Sequence, residues 1–226
     1  MKLGALFSGG KDSTLALYKA MQKETLVCLI SLVSENKESY MFHTPNNHLV
    51  NVQAGCMGLP IVIQKTAGVK EQELLDLKKA IQTAKEQHAI EGIVTGAVSS
   101  VYQAIRIQRI CDELGLWCFS PLWQKDQIEL LSELVQSHFE VMITGIFAEP
   151  FTADWLGKRI SAETIGQLKK LQRSHGINPA GEGGEIETTV LDAPCFKKRI
   201  LVHDRSVHYE NHAGTFTIKE TSVEAK

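Results

Sequence analysis

The chain is short of several things that would announce a function. Its five cysteines, Cys28, Cys56, Cys111, Cys118 and Cys195, include no C-x-x-C pair. So odd and scattered a set argues against a disulfide framework or a zinc knuckle and leaves reduced thiols as the expectation. Excess charge is missing too: 24 Lys and Arg face 26 Asp and Glu, a formal charge of −2, so no basic surface is advertised for nucleic acid. No apolar run reaches the length of a membrane span, and MKLGALFSGG has one lysine and too short an apolar stretch for a signal peptide. Repeats and low-complexity tracts are absent as well. The expectation is a cytoplasmic protein with no direct nucleic-acid or membrane partner.

What is present is a chain of 226 residues, 43% of them hydrophobic, enough for one main core and a smaller appendage. Apolar runs at 3–7, 25–33, 60–66, 92–98, 116–120 and 140–147 alternate with helical spacing at 12–22, 46–57, 70–88, 100–114, 126–138 and 161–174. Strand and helix in alternation predict an α/β fold, a parallel sheet sandwiched by helices, with ligands beyond the carboxyl ends of the strands. After about residue 150 the pattern changes to glycine-rich and then short alternating segments, RILVHD, SVHYEN and TFTIKE, and TSVEAK reads as a frayed tail. The division expected is 1–120 for the main α/β domain and 121–226 for a smaller α+β subdomain.

SGGKDS, residues 8–13, leaves the first predicted strand and opens a helix. A helix N-terminus presents unsatisfied N–H groups and a positive partial charge, and glycines let the backbone approach an anion without a Cβ in the way. Gly9 and Gly10 would wrap a phosphate, with Ser8 and Ser13 donating hydroxyls. The usual nucleotide P-loop does not fit: Ala5 stands where its first glycine belongs, and Asp12 follows Lys11 where Ser or Thr is needed. The bland alternative is a turn in which Asp12 or Ser13 caps a helix.

Two further stretches are candidates. TGAVSSVYQAIRIQR, 95–109, leaves a strand through Gly96 and presents Tyr102, Gln103 and Arg106, with Gln103 and Arg106 on one helical face; otherwise it is a solvated face. GEGGEIET, 181–188, sets Glu182, Glu185 and Glu187 beside Gly183, Gly184 and Thr188. Three carboxylates that close repel one another unless solvent, a cation or a positive ligand compensates them, and an acidic surface turn is the competing reading. His43 and His48 lack metal-ligand spacing, and Glu71 and Glu73 read as partners of a helix dipole.

SGGKDS after the first strand resembles the pyrophosphate-binding loop of the PP-loop ATP pyrophosphatases. Together with SYMFHTPN, KEQELLDL, GAVSSVYQAIR, PLW, WLGKRI and GEGGEIETTVLDAPCFKK, it resembles the diphthine ammonia ligase family from about residue 3 to about 200. The chain departs from that pattern at Val69, Ala180 and Ile186, none of them a phosphate ligand or one of the three glutamates.

The resemblance implies an adenine-nucleotide α-hydrolase-like (HUP) fold, ATP and Mg²⁺ as cofactors, and diphthine-bearing translation elongation factor 2 and ammonium as partners. It implies that the diphthine carboxylate is adenylated, that pyrophosphate leaves on the 8–13 loop, and that ammonia then displaces AMP. Asp12 would position Mg²⁺, while Glu182, Glu185 and Glu187 would bind and deprotonate ammonium. Another PP-loop enzyme acting on a different carboxylate or on tRNA, and a non-catalytic ATP or AMP sensor, are the alternatives.

Overall fold

The computed structural model describes residues 1–34, 46–69 and 71–226. They fall into two compact units, the first drawn from Met1–His43 and Asn47–Trp123, the second from Asn46 and Gln124–Lys226.

The first unit is a five-stranded sheet: β1 (Lys2–Leu6), β2 (Thr25–Ser34), β3 (Ile61–Thr66), β4 (Gly92–Val94) and β5 (Trp117–Phe119), in the order β3-β2-β1-β4-β5. Every pair is parallel, as the continuous apolar strands require of a sheet covered on both faces. The helices are α1 (Lys11–Met21), α2 (Val50–Met57, after a 3-10 turn over Asn47–Leu49), α3 (Gln72–His88) and α4 (Val101–Leu114). Right-handed crossovers put α1 and α2 on one face and α3 and α4 on the other. On the second face, Leu77, Ile81 and Ala84 of α3 and Ile107, Ile110 and Cys111 of α4 share one buried cluster with Cys28, Ile30 and Ile93 of the sheet. The strand order reverses between β1 and β4, and a doubly wound sheet binds its ligand in the crevice at that reversal. The loops leaving β1 and β4 are SGGKDS and TGAVSS, so the topology brings two of the three motifs to one place.

The second unit contains α5 (Gln127–Gln136), β6 (Glu140–Phe147), α6 (Ala162–His175), β7 (Ile186–Asp192), β8 (Lys198–Glu210) and β9 (Ala213–Ala225). Its four strands form a separate sheet in the order β7-β6-β9-β8, antiparallel throughout. This corrects three expectations. Residues 140–147 continue the alternation in sequence but pair with β7 and β9, because apolar periodicity carries no information about a strand's partner. TSVEAK is no frayed tail: it completes β9, and Lys226 Nζ donates to Ala193 O at 2.6 Å and pairs with Asp192 at 2.5 Å. The three short segments expected after 198 are two long strands joined at Asn211 and His212, both with positive φ. No helix among the described residues is long and apolar enough to cross a membrane.

Candidate functional site

β1 ends at Leu6, and Gly9, at φ +80°, turns the chain into α1. Gln53 of α2, wholly buried, donates from Nε2 to Gly9 O at 2.9 Å, and any Cβ on Gly9 would run into its Oε1. The N-cap is Gly10, and no side chain caps the helix. Neither Asp12 nor Ser13 is a cap, so the bland reading of this turn does not apply. The Ser13 and Thr14 hydroxyls instead donate to Gly10 O at 3.1 and 2.8 Å, while the Ser8 and Ser13 hydroxyls lie 3.2 Å apart. Lys11 is buried and pairs with Asp12 Oδ2 at 2.8 Å. Asp12 Oδ1 is buried and has no hydrogen-bond partner among the described residues. Unpaired buried oxygens are costly, and here the orphan belongs to a carboxylate in the first turn of a helix whose N-terminus no side chain caps.

Gly96, just past β4, lies against this turn. A Cβ there would stand 2.7 Å from Ser13 N and 2.8 Å from Asp12 C, so the exit of β4 and the start of α1 touch backbone to backbone. Ser100 then caps α4, accepting from Gln103 N at 3.3 Å. Tyr102 and Arg106, one turn apart, both reach Glu71: Tyr102 Oη donates to its Oε1 at 3.0 Å and Arg106 Nη2 at 2.6 Å. The guanidinium also stacks 3.4 Å above the Tyr102 ring. Burial first, and the bond to Glu71 second, raise the Tyr102 phenol above its ordinary value. Glu71 is therefore more than the dipole partner expected from sequence; it is the counter-ion of Arg106 and accepts from the Tyr102 phenol, two candidate substrate-binding side chains. Gln103 enters the described contacts through its backbone, and Arg109 faces outward, paired with Glu113 at 3.0 Å.

The third motif lies in the second unit. Gly181 and Gly184, at φ +78° and +85°, turn the chain into β7. Glu185 closes that turn on itself: Asn178 N and Nδ2 donate to Oε1 at 2.9 and 2.7 Å, and Gly183 N donates to Oε2 at 2.8 Å. Burial pushes its carboxyl up, but these bonds, with its own N–H, outweigh burial and hold it below the usual range. A carboxylate so saturated anchors the turn and is poorly suited to take a proton. Glu187 sits on β7 opposite Gly145, where a Cβ would meet Glu187 Cβ at 2.8 Å. Glu182 and Glu187 are half-buried and Thr188 is buried, while Gly183 and Gly184 are exposed.

The described residues hold no group of three or more His, Cys, Asp or Glu arranged for a metal. Mg²⁺ keeps several oxygen ligands from water and substrate phosphates and needs only one or two carboxylates. The orphaned Asp12 Oδ1 fits such an ion. SYMFHTPN lies outside the described residues except for Asn46, whose side chain accepts from Ile218 N at 2.7 Å and donates to Phe216 O at 2.8 Å on β9. Sequence reasoning missed Gln53, which stands in no motif, and it read Glu71, within KEQELLDL, only as a helix-dipole partner.

Comparison with known proteins matches both units. Residues 1–118 match the diphthamide synthase N-terminal domain family and residues 126–223 the diphthamide synthase C-terminal domain family. The chain is 33% identical over 222 residues to diphthine–ammonia ligase of Rattus norvegicus, covering 89% of this chain and 83% of the relative. It is 35% identical over 224 residues to the enzyme of the same name from Schizosaccharomyces pombe, covering 92% of this chain but 37% of that longer protein. A predicted subunit of tRNA methyltransferase from Methanocaldococcus jannaschii superposes with a TM-score of 0.43 at 15% identity, covering 86% of this chain and 98% of that one.

Proposed function

The chain belongs to the diphthamide synthase family, and on that premise we propose that it is a cytoplasmic ligase that amidates the diphthine carboxylate of translation elongation factor 2 with ammonium and ATP. Two steps balance the reaction. The carboxylate attacks the α-phosphorus of ATP, giving an acyl-adenylate and pyrophosphate; ammonia then attacks the activated carbonyl, giving the amide and AMP. Splitting a difficult amidation this way is ordinary covalent activation.

The observation that supports this chemistry best is the Asp12 oxygen left without a partner beside an uncapped helix N-terminus. In this reading the N–H groups of α1, the Ser8 and Ser13 hydroxyls and the Gly9–Gly10 backbone hold the departing pyrophosphate. Mg²⁺, when bound, supplies positive charge against the phosphate oxygens, and Asp12 is the residue that would hold it. Gln53 keeps Gly9 in its left-handed turn, and Gly96 keeps the two strand exits together. Tyr102 and Arg106 grip a carboxylate already, that of Glu71, and the substrate carboxylate is the ligand we assign to them, with Gln103 beside them. Ammonium must lose a proton before it attacks; Glu182 and Glu187 are the bases we assign, with Glu185 holding their turn and Thr188 beside it.

The test is product analysis of the protein with Mg-ATP, ammonium and diphthine-bearing elongation factor 2, omitting each in turn. AMP, pyrophosphate and an amide formed only in the complete mixture support the reading. ADP and phosphate, or use of glutamine but not ammonium, would overturn it.

A further inference from the structure

Two amide side chains tie the acidic turn to the start of α5. Gln127 is the first residue of that helix, and its place is fixed by Asp126, which caps α5 by accepting from Ile128 N and Glu129 N, both at 2.9 Å. Gln127 Nε2 donates to Asn178 Oδ1 at 3.1 Å, across 51 positions of sequence, and Gln127 Oε1 accepts from Ala180 N at 2.9 Å. Asn178 Nδ2 carries the chain of bonds on to Glu185 Oε1 at 2.7 Å, and Glu185 Oε2 ends it on Gly183 N at 2.8 Å.

Chemistry fixes the direction of this chain. An ionised carboxylate only accepts hydrogen bonds, so Asn178 must turn its NH2 group to Glu185 and its oxygen to Gln127. Gln127 must then donate to that oxygen, which leaves its own for Ala180, a fully buried residue whose N–H needs a partner. Reversing either amide would set like groups face to face. Gly183 completes the arrangement: a Cβ there would stand 2.8 Å from Asn178 Nδ2 and 2.8 and 2.9 Å from the Glu185 oxygens, so the carboxylate lies against backbone that only glycine leaves open.

We propose that Gln127 and Asn178 are positioning residues for ammonium: through Glu185 they hold the turn that carries Glu182 and Glu187. The inference rests on the reading above, in which those two carboxylates receive ammonium. Glu182 directly precedes Gly183, and Glu187 is the second residue of β7, two beyond Glu185, so each lies within two residues of a group the chain of bonds holds. Between them Gly183 and Gly184, the latter at φ +85°, give the backbone little stiffness of its own. Like charges on such a backbone relax apart unless the turn is held. Losing the chain of bonds therefore weakens ammonium capture and leaves adenylation, whose residues lie in the first unit, as it was.

The experiment compares the unmodified full chain with Asn178→Ala and with Gln127→Met, which keeps the side chain's length and loses both of its bonds. Amide formation is followed against ammonium concentration, and pyrophosphate release in a single turnover with the diphthine protein. The expected result is a KM for ammonium raised about tenfold or more, the scale of a misplaced binding group, with turnover restored at saturating ammonium and pyrophosphate release unchanged. An unchanged KM, or a loss shared by both half-reactions that ammonium does not restore, would overturn the proposal. Hydrogen exchange is the second readout and does not depend on catalysis. Gln127→Met touches neither Glu185 nor Gly183, yet exchange at Gly183 N is expected to speed up along with that at Ala180 N; a change at Ala180 N alone means that Gln127 does not hold the acidic turn. Failure of the ligase reading is a different result, no amide from the unmodified chain at any ammonium concentration, and exchange at Gly183 N then still decides whether the two amides hold the turn.

Discussion

Asp12 carries opposite burdens on its two oxygens: Oδ2 is held by Lys11 at 2.8 Å, and Oδ1 is buried without a partner among the described residues. Asp12→Asn keeps shape and removes charge, so the fold should survive while the cation loses its ligand. Pyrophosphate release is expected to fall about a hundredfold or more, the scale for losing one preorganised electrostatic contact in a transition state, with the thermal transition little changed. Unaltered release would leave Asp12 as a mere counter-ion for Lys11. Glu185 makes the contrasting case. Its carboxyl is held below its ordinary value in the folded chain, so its contribution to stability is complete above the unfolded value, about 4.3, and fades as pH falls through the folded one. Urea midpoints of Glu185→Gln should therefore vary less with pH across that acid range than those of the unmodified chain; identical slopes would remove the anchoring role.

At the scale of elements, the Gly96 contact is the most exposed to a single atom. Added Cβ density 2.7 and 2.8 Å from the backbone of Ser13 and Asp12 has no flexible side chain to displace. Gly96→Ala must shift α1 against β4. We expect a loss of about 1–3 kcal/mol, the usual cost of overpacking, and weaker ATP binding measured by calorimetry. A variant that binds ATP normally would show that the strand exits tolerate separation. The parallel sheet was legible because its strands are apolar runs alternating with helices, and glycine or small residues mark the exits of β1 and β4. What the periodicity could not show was where a strand's partner lies. β6 therefore read as a sixth member of the alternation, and β8 and β9 as fragments, since their exposed residues interrupt the apolar signal. The C-terminal residues give this a direct check. Removing 221–226 takes away the pairs that β9 makes with Lys198–Val202 and the Lys226 contacts, so the truncated chain should unfold several degrees lower, on the scale expected for about 1 kcal/mol or more in a domain of this size; a tail without structure would leave the transition unmoved.

For the whole molecule, the two units divide the residues of the proposed reaction. The first holds the pyrophosphate loop, Gln53, Gly96 and the Tyr102–Arg106 pair; the second holds the acidic turn. The 8–13 motif could be picked out in the sequence because the arrangement proposed to hold phosphate, glycine and hydroxyl residues at a helix start, is short and local. The contacts of Gln53 and Glu71 could not be, since each reaches across elements that only the fold brings together. The division predicts two kinds of loss. Variants of the loop, Asp12→Asn among them, should lose pyrophosphate release and amide formation together. Glu187→Gln and Glu182→Gln, with the first unit intact, should still release pyrophosphate in the presence of the diphthine protein but form amide slowly, and adenylated intermediate should accumulate in a quench-and-mass experiment. Non-additivity is expected within each unit and not across the two, because residues that act in one step fail as a set. If the glutamate variants instead lose both half-reactions in equal measure, the carboxylates serve the adenylation step, and the nucleophilic ammonia must be generated by a base elsewhere in the chain.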